Sequence, residues 1–125
     1  MNSARPPQQL FLIFGFVFLA AIVYLSLSRT VLELPGDTDG HLAHVGAYAL
    51  MMFWFARVYT GARSALLIGA GLMALGVLIE LLQGYGGYRN FERADIVADA
   101  LGIGLGWIAG WPLAMRRLSE ARKAS

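Results

Sequence analysis

The fold of this 125-residue chain is decided by the stretch SALLIGAGLMALGVLIELL, residues 64–82, in which Glu80 is the one charged side chain. A helix needs about 20 mostly apolar residues to cross the hydrocarbon core of a bilayer. Residues 10–27, 42–59 and 94–115 form three further apolar runs of similar length. We therefore predict an all-α, integral membrane bundle of four transmembrane helices, forming one domain over residues 1–125.

The composition supports a membrane protein and excludes several other classes. Hydrophobic residues make up 58% of the chain and charged residues only 14%, against about 25% charged residues in a typical soluble domain. The absence of cysteine excludes disulfides and thiolate metal sites. The basic residues do not form a stripe, and four of the ten lie within residues 116–123. We therefore expect no nucleic-acid partner.

The distribution of basic residues predicts the orientation, because cytoplasmic loops of membrane proteins are enriched in Lys and Arg. If both termini lie on one side, that side carries seven basic residues and the other side three. The seven are Arg5, Arg57, Arg63, Arg116, Arg117, Arg122 and Lys123, and the three are Arg29, Arg89 and Arg93. We predict a multi-pass protein of the cytoplasmic (inner) membrane with both termini cytoplasmic. The first run is longer than a usual signal-peptide core, so we expect it to be retained.

This topology places seven of the eight acidic residues at the outer face. His41, His44 and Tyr48 share one helical face, and Glu80 and Gln83 share another. Asp95 and Asp99 lie on the side that continues as a glycine stripe, Gly102, Gly106 and Gly110, and small residues at this spacing allow close helix packing. The acidic side of the fourth span should therefore point into the bundle, with Arg89 and Arg93 pairing with carboxylates. The predicted outward-facing pocket comprises His44, Tyr48, Glu80, Gln83, Arg89, Asp95 and Asp99.

These residues resemble the VanZ-like family of small multi-pass membrane proteins. The match includes His44 and Tyr48, the block Glu80-x-x-Gln83, and Arg89 followed by Asp95, Asp99 and Gly102. The sequence departs from the family pattern where an Asp-Lys pair is usual, since Gly40 and His41 stand there. The family is named after a member linked to resistance to the glycopeptide teicoplanin. The resemblance implies an envelope-related membrane protein and does not imply a particular reaction.

The favoured function is binding of an envelope-related ligand, and several alternatives stay open. Glu80, Asp95, Asp99 and His44 could perform acid–base chemistry on a lipid-linked envelope substrate, so whether the chain is an enzyme is undecided. The polar residues could instead form a purely structural network, or the chain could be a regulatory subunit. His41, His44, Glu80 and Asp99 could also ligate a divalent ion. However, His-x-x-His spacing often arises by chance, and we expect neither a metal nor a cofactor.

The expected partners follow from the same reasoning. They are membrane lipid and either a lipid-linked envelope precursor or a glycopeptide. The glycine stripe is compatible with a homodimer as much as with packing inside one chain.

Overall fold

Within its described part, the chain forms four α-helices and no β-strand. The structure is a computed structural model that describes residues 8–28, 40–59, 61–86 and 92–125. The helices are α1 (Gln8–Leu27), α2 (His41–Val58), α3 (Ala62–Tyr85) and α4 (Arg93–Ala124). The all-α prediction is confirmed, and α4 continues beyond its predicted end at Met115. Arg5 and Arg29, which enter the predicted orientation, lie outside the described residues.

Three of the helices are long and apolar enough to cross a membrane. They are α1, α3 and the part of α4 from Arg93 to Pro112, which have 20, 24 and 20 residues and mean hydropathies of 2.7, 2.4 and 1.2. At 1.5 Å per residue, 20 residues span about 30 Å, the thickness of the hydrocarbon core. The predicted second span does not meet this criterion, because the 18 residues of α2 include His41, His44 and Arg57. The prediction of four spans therefore holds for three helices and is not established for α2.

The bundle exposes apolar side chains and buries acidic ones, which is the opposite of the distribution in a soluble protein. Leu66 is 72% exposed, Ile108 68% and Phe14 64%, whereas the carboxylates of Glu80 and Asp95 are fully buried. Soluble proteins seldom bury acidic side chains completely. Apolar side chains on the outside and ionisable ones inside are typical of helices surrounded by lipid.

The least apolar helix, α2, has the most central position. It packs against all three other helices, most extensively against α4. Five of its residues are buried: Tyr48, Met51, Met52, Phe55 and Ala56. Since neighbouring helices cover α2, its polar residues meet protein instead of lipid.

Close packing between α2 and α4 depends on glycine. A Cβ atom at Gly102 would lie 2.5 Å from the Val45 carbonyl oxygen, and a Cβ at Gly106 would collide with the Ala49 carbonyl oxygen. A Cβ at Gly110 would lie 3.4 Å from that of Ala56. The predicted close-packing role of the glycine stripe is confirmed, and its partner is α2 of the same chain. A homodimer stays a prediction.

Hydrogen bonds tie α1 to the bundle near both of its ends. Trp54 Nε1 donates to the Phe11 carbonyl oxygen at 2.8 Å, and Gln83 Nε2 donates to the Ser26 carbonyl oxygen at 2.5 Å. The start of α1 therefore lies beside the end of α2, and the end of α1 lies beside the end of α3. As a result, the carboxyl ends of α1 and α3 and the amino ends of α2 and α4 meet at the same end of the bundle.

Candidate functional site

Polar side chains from three helices and one helix-flanking residue converge at this end of the bundle. They form what we call the polar cluster: His41, His44, Tyr48, Glu80, Gln83, Glu92, Asp95 and Asp99. Direct contacts join α2 to α4, and join α3 to the residue that precedes α4, at this end of the bundle.

His44 is held between two buried aspartates of α4. Its Nδ1 lies 2.7 Å from Asp99 Oδ1, and its Nε2 lies 3.8 Å from Asp95 Oδ2. An ionised carboxylate only accepts hydrogen bonds, so with Asp99 ionised the proton of this contact lies on His44 Nδ1. Asp99 therefore sets both the tautomer and the orientation of the imidazole, and Nε2 faces Asp95.

Asp95 is shared by both histidines. His41 Nε2 lies 3.4 Å from Asp95 Oδ1 and 3.5 Å from Glu92 Oε2. The side chains of His41 and Glu92 are 37% and 48% exposed, whereas that of His44 is 16% exposed and that of Asp95 is fully buried. The polar cluster therefore has an outer pair, His41 and Glu92, above an inner set around His44.

Two fully buried side chains of α3 have oxygens without hydrogen-bond partners. Glu80 Oε2 accepts the Glu92 N–H at 3.3 Å, but Glu80 Oε1 has no donor within the described residues. Gln83 uses its amide nitrogen on Ser26, and its Oε1 likewise has no donor in the described part of the chain. A buried polar atom without a partner costs about 1–3 kcal/mol. These oxygens are therefore the positions at which the polar cluster can accept a donor or a cation.

Tyr48 and Asp99 reach α3 because a glycine stands opposite them. A Cβ atom at Gly76 would lie 2.5 Å from Asp99 Oδ2 and 3.1 Å from the Tyr48 hydroxyl. Gly76 was not among the predicted site residues. Its position one helical turn before Glu80, on the same face of α3, is the signal that could have identified it.

Acidic side chains outnumber basic ones in the polar cluster. Four carboxyl groups take part, and within the described ranges three of them lie within 4.0 Å of a histidine ring nitrogen. We predicted that Arg89 and Arg93 pair with carboxylates. In the structure Arg93 is exposed, and the residues beside Asp95 and Asp99 are His41 and His44. The predicted pocket residue Arg89 lies outside the described residues.

Six of the seven predicted pocket residues are brought together, namely His44, Tyr48, Glu80, Gln83, Asp95 and Asp99. The sequence analysis did not include His41 and Glu92 in the predicted pocket. The three-residue spacings from His41 to His44 and from Glu92 to Asp95 place both on the helical faces that the pocket uses.

The arrangement supports two kinds of chemistry. Carboxylate oxygens with an imidazole nitrogen can bind a cation. A histidine held by an aspartate can also transfer a proton to or from a bound molecule. Comparison with known proteins adds no assignment, because no family model, no curated protein and no solved structure matches this chain.

Proposed function

We propose that this chain is a four-span protein of the inner membrane whose polar cluster binds an envelope-related ligand, in a VanZ-like role. The observation that carries the proposal is the complete burial of Glu80, Gln83, Asp95 and Asp99 beside oxygens that have no donor among the described residues. Polar contacts between membrane helices average only about 0.6 kcal/mol. A purely structural network would therefore gain little from such costly burial, whereas a binding site requires it.

In this proposal α2 is the fourth span. Its 18 residues extend about 27 Å, close to the thickness of the hydrocarbon core. It lies against α1, α3 and α4, so those three helices meet most of the lipid. A span in that position tolerates His41, His44 and Arg57 because they face protein or an aqueous rim.

The proposed orientation puts the polar cluster at the outer face. Basic residues collect at the opposite end of the bundle, where α2 ends, α3 begins and α4 continues to its C-terminus. They are Arg57, Arg63, Arg116, Arg122 and Lys123. Lys and Arg mark the cytoplasmic side, so both termini would be cytoplasmic. The polar cluster would then face the compartment in which envelope precursors and glycopeptides are found.

The ligand proposed on these grounds has a polar head group and an apolar tail, as a lipid-linked precursor has. The outer pair, His41 and Glu92, is partly exposed and leads to the buried carboxylates. Apolar helix surface extends from the same site. A head group could therefore enter the polar cluster while its tail stays in lipid.

Native mass spectrometry of the full chain taken from its own membranes tests this function. Wild type, Glu80→Gln and a matched control, Glu120→Gln on the exposed end of α4, would be compared, with melting temperatures recorded. We expect a lipid-linked adduct on wild type and on the control, and its loss from a folded Glu80→Gln variant. Absence of an adduct, together with a much lower melting temperature for Glu80→Gln, would identify a structural network instead.

A second candidate, an enzyme acting on a lipid-linked substrate, is favoured by one contact. Asp99 lies 2.7 Å from His44 Nδ1, and such a pair can act as an oriented general base. In this case His44→Gln should retain the adduct while product formation is lost. For a binding protein, no substrate turnover should be measured in wild type.

A further inference from the structure

Three inner residues of the polar cluster, one from each of three helices, converge on a common point. His44 comes from α2, Glu80 from α3 and Asp95 from α4. Each offers one ligand atom, and these atoms all lie within 4.8 Å of one another. Ligands at about 2.0–2.2 Å around a tetrahedral ion are about 3.3–3.6 Å apart. The 3.8 Å between His44 Nε2 and Asp95 Oδ2 is already close to that separation.

An independent observation at Glu80 indicates that a cation belongs at this point. Glu80 is fully buried, and its Oε1 has no hydrogen-bond donor within the described residues. Its other oxygen accepts one long bond of 3.3 Å from the Glu92 N–H. Burying an ionised carboxylate is costly unless it is paired or coordinates a metal. A cation held between Glu80 and Asp95 would satisfy the unmatched oxygen.

The orientation of His44 supports the same conclusion. Asp99 Oδ1 lies 2.7 Å from His44 Nδ1, and in the neutral tautomer that donates from Nδ1 the lone pair of Nε2 is directed toward Asp95. Metal-binding histidines commonly donate their second ring N–H to a carboxylate in this way.

We propose that His44 Nε2, Glu80 and Asp95 bind a divalent transition-metal ion of the zinc class, with Asp99 as the residue that positions His44. An imidazole nitrogen beside carboxylates suits such ions, whereas Mg²⁺ prefers oxygen ligands and keeps its waters. The metal site rests on the proposed function, because it specifies how the polar cluster would bind the head group of the ligand. A dication would balance two carboxylates and give an otherwise acidic site affinity for a phosphate or carboxylate head group.

The outer pair supplies a matched control. His41 and Glu92 also stand near Asp95, within 4.8 Å by their ligand atoms, but both are more exposed than the inner residues. His41→Gln and His44→Gln make the same chemical change three residues apart on one helix. If the metal binds to His44, Glu80 and Asp95, His44→Gln should weaken metal binding far more than His41→Gln does.

The experiment uses the full chain in detergent, stripped with a chelator and then titrated with Zn²⁺ or Mg²⁺. Metal content, Zn²⁺ affinity and melting temperature would be measured for wild type, His44→Gln, His41→Gln, Glu80→Gln, Asp99→Asn and Glu120→Gln. We expect one Zn²⁺ per wild-type chain and a higher melting temperature with Zn²⁺ than with Mg²⁺. Loss of an orienting carboxylate typically weakens metal affinity about 10–100-fold. Asp99→Asn should fall in that range, and His44→Gln and Glu80→Gln should lose at least as much.

Three results would overturn the metal site. They are no Zn²⁺-dependent change in wild type, unchanged Zn²⁺ affinity in both His44→Gln and Glu80→Gln, and equal binding of Mg²⁺ and Zn²⁺. The wild-type titration needs no variant, so a misfolded variant does not prevent the test. A lipid-linked adduct that survives chelation would overturn the role of the metal in ligand binding and leave the proposed function. A bound Zn²⁺ without any adduct would leave the metal and remove the proposed function.

Discussion

The α2–α4 interface has two halves, a polar half joined by side-chain contacts and a glycine half joined by close backbone packing. In one half, His41 and His44 face Asp95 and Asp99 across buried polar contacts. In the other half, Gly102 and Gly106 press directly against the α2 backbone. The glycine half gains van der Waals contact at no desolvation cost, whereas the polar half buries carboxyl groups beside oxygens that have no donor in the part of the chain that the structure describes. The glycine half therefore supplies stability, and the polar half is where function is expected.

The largest effect should come from Gly106→Ala. Its Cβ would collide with the Ala49 carbonyl oxygen, and backbone cannot rotate away as a flexible side chain can. We expect a loss of about 3 kcal/mol in the free energy of unfolding, at the upper end for overpacking. Reversible unfolding in mixed micelles measures it.

Gly104→Ala on the same helix is the matched control, since no atom lies within 4 Å of its Cβ position. Alanine favours a helix over glycine by up to about 1 kcal/mol, so this control should be neutral or slightly stabilised. Equal losses for the two variants would contradict the idea that the glycine half stabilises the bundle by close packing.

In the polar half, Asp99→Ala should have an intermediate effect. It removes the acceptor of the 2.7 Å bond from His44 Nδ1, and hydrogen bonds to charged groups contribute about 1.5–3 kcal/mol. Asp99→Asn keeps an oxygen acceptor and should lose less. If Asp99→Ala destabilised the bundle more than Gly106→Ala does, the division between a stabilising half and a functional half would be wrong.

The smallest effect should follow Trp54→Phe, outside this interface. The variant removes the donor to the Phe11 carbonyl oxygen but keeps an aromatic ring beside Phe11. An ordinary hydrogen bond contributes about 0.5–1.5 kcal/mol, so we expect about 1 kcal/mol in the free energy of unfolding. A loss above that of Asp99→Ala would show that the attachment of α1 controls the stability of both halves.

The helices could be predicted because a membrane span depends on a local run of apolar residues. α1, α3 and the apolar part of α4 follow that rule. The second run, α2, is a weaker candidate because its histidines and Arg57 lower its hydropathy. Its tolerance of polar residues comes from its central position, which is a property of the packed bundle and not of the run itself.

Part of the candidate site could also be predicted. Alternating helix directions bring Glu80 at the end of α3 and Asp99 near the start of α4 to one end of the bundle. Helical spacing alone puts Asp99 and Gly102 on one side of α4. The exact partners could not be predicted, because His44 and Asp99 are 55 residues apart in the chain. Arginine was expected as the partner of the carboxylates, and histidine was found.

The sequence by itself determined that the chain is helical, that three of its helices suit a membrane, and that acidic residues lie on the close-packing side of α4. Only the tertiary structure decided that the glycine stripe packs against α2 and that His44 is oriented by Asp99 toward Asp95. Only the structure showed that Glu80 Oε1 has no donor within the described ranges. The reason is physical: apolarity and helical period are local properties, whereas hydrogen-bond satisfaction depends on groups that meet only after the helices have packed.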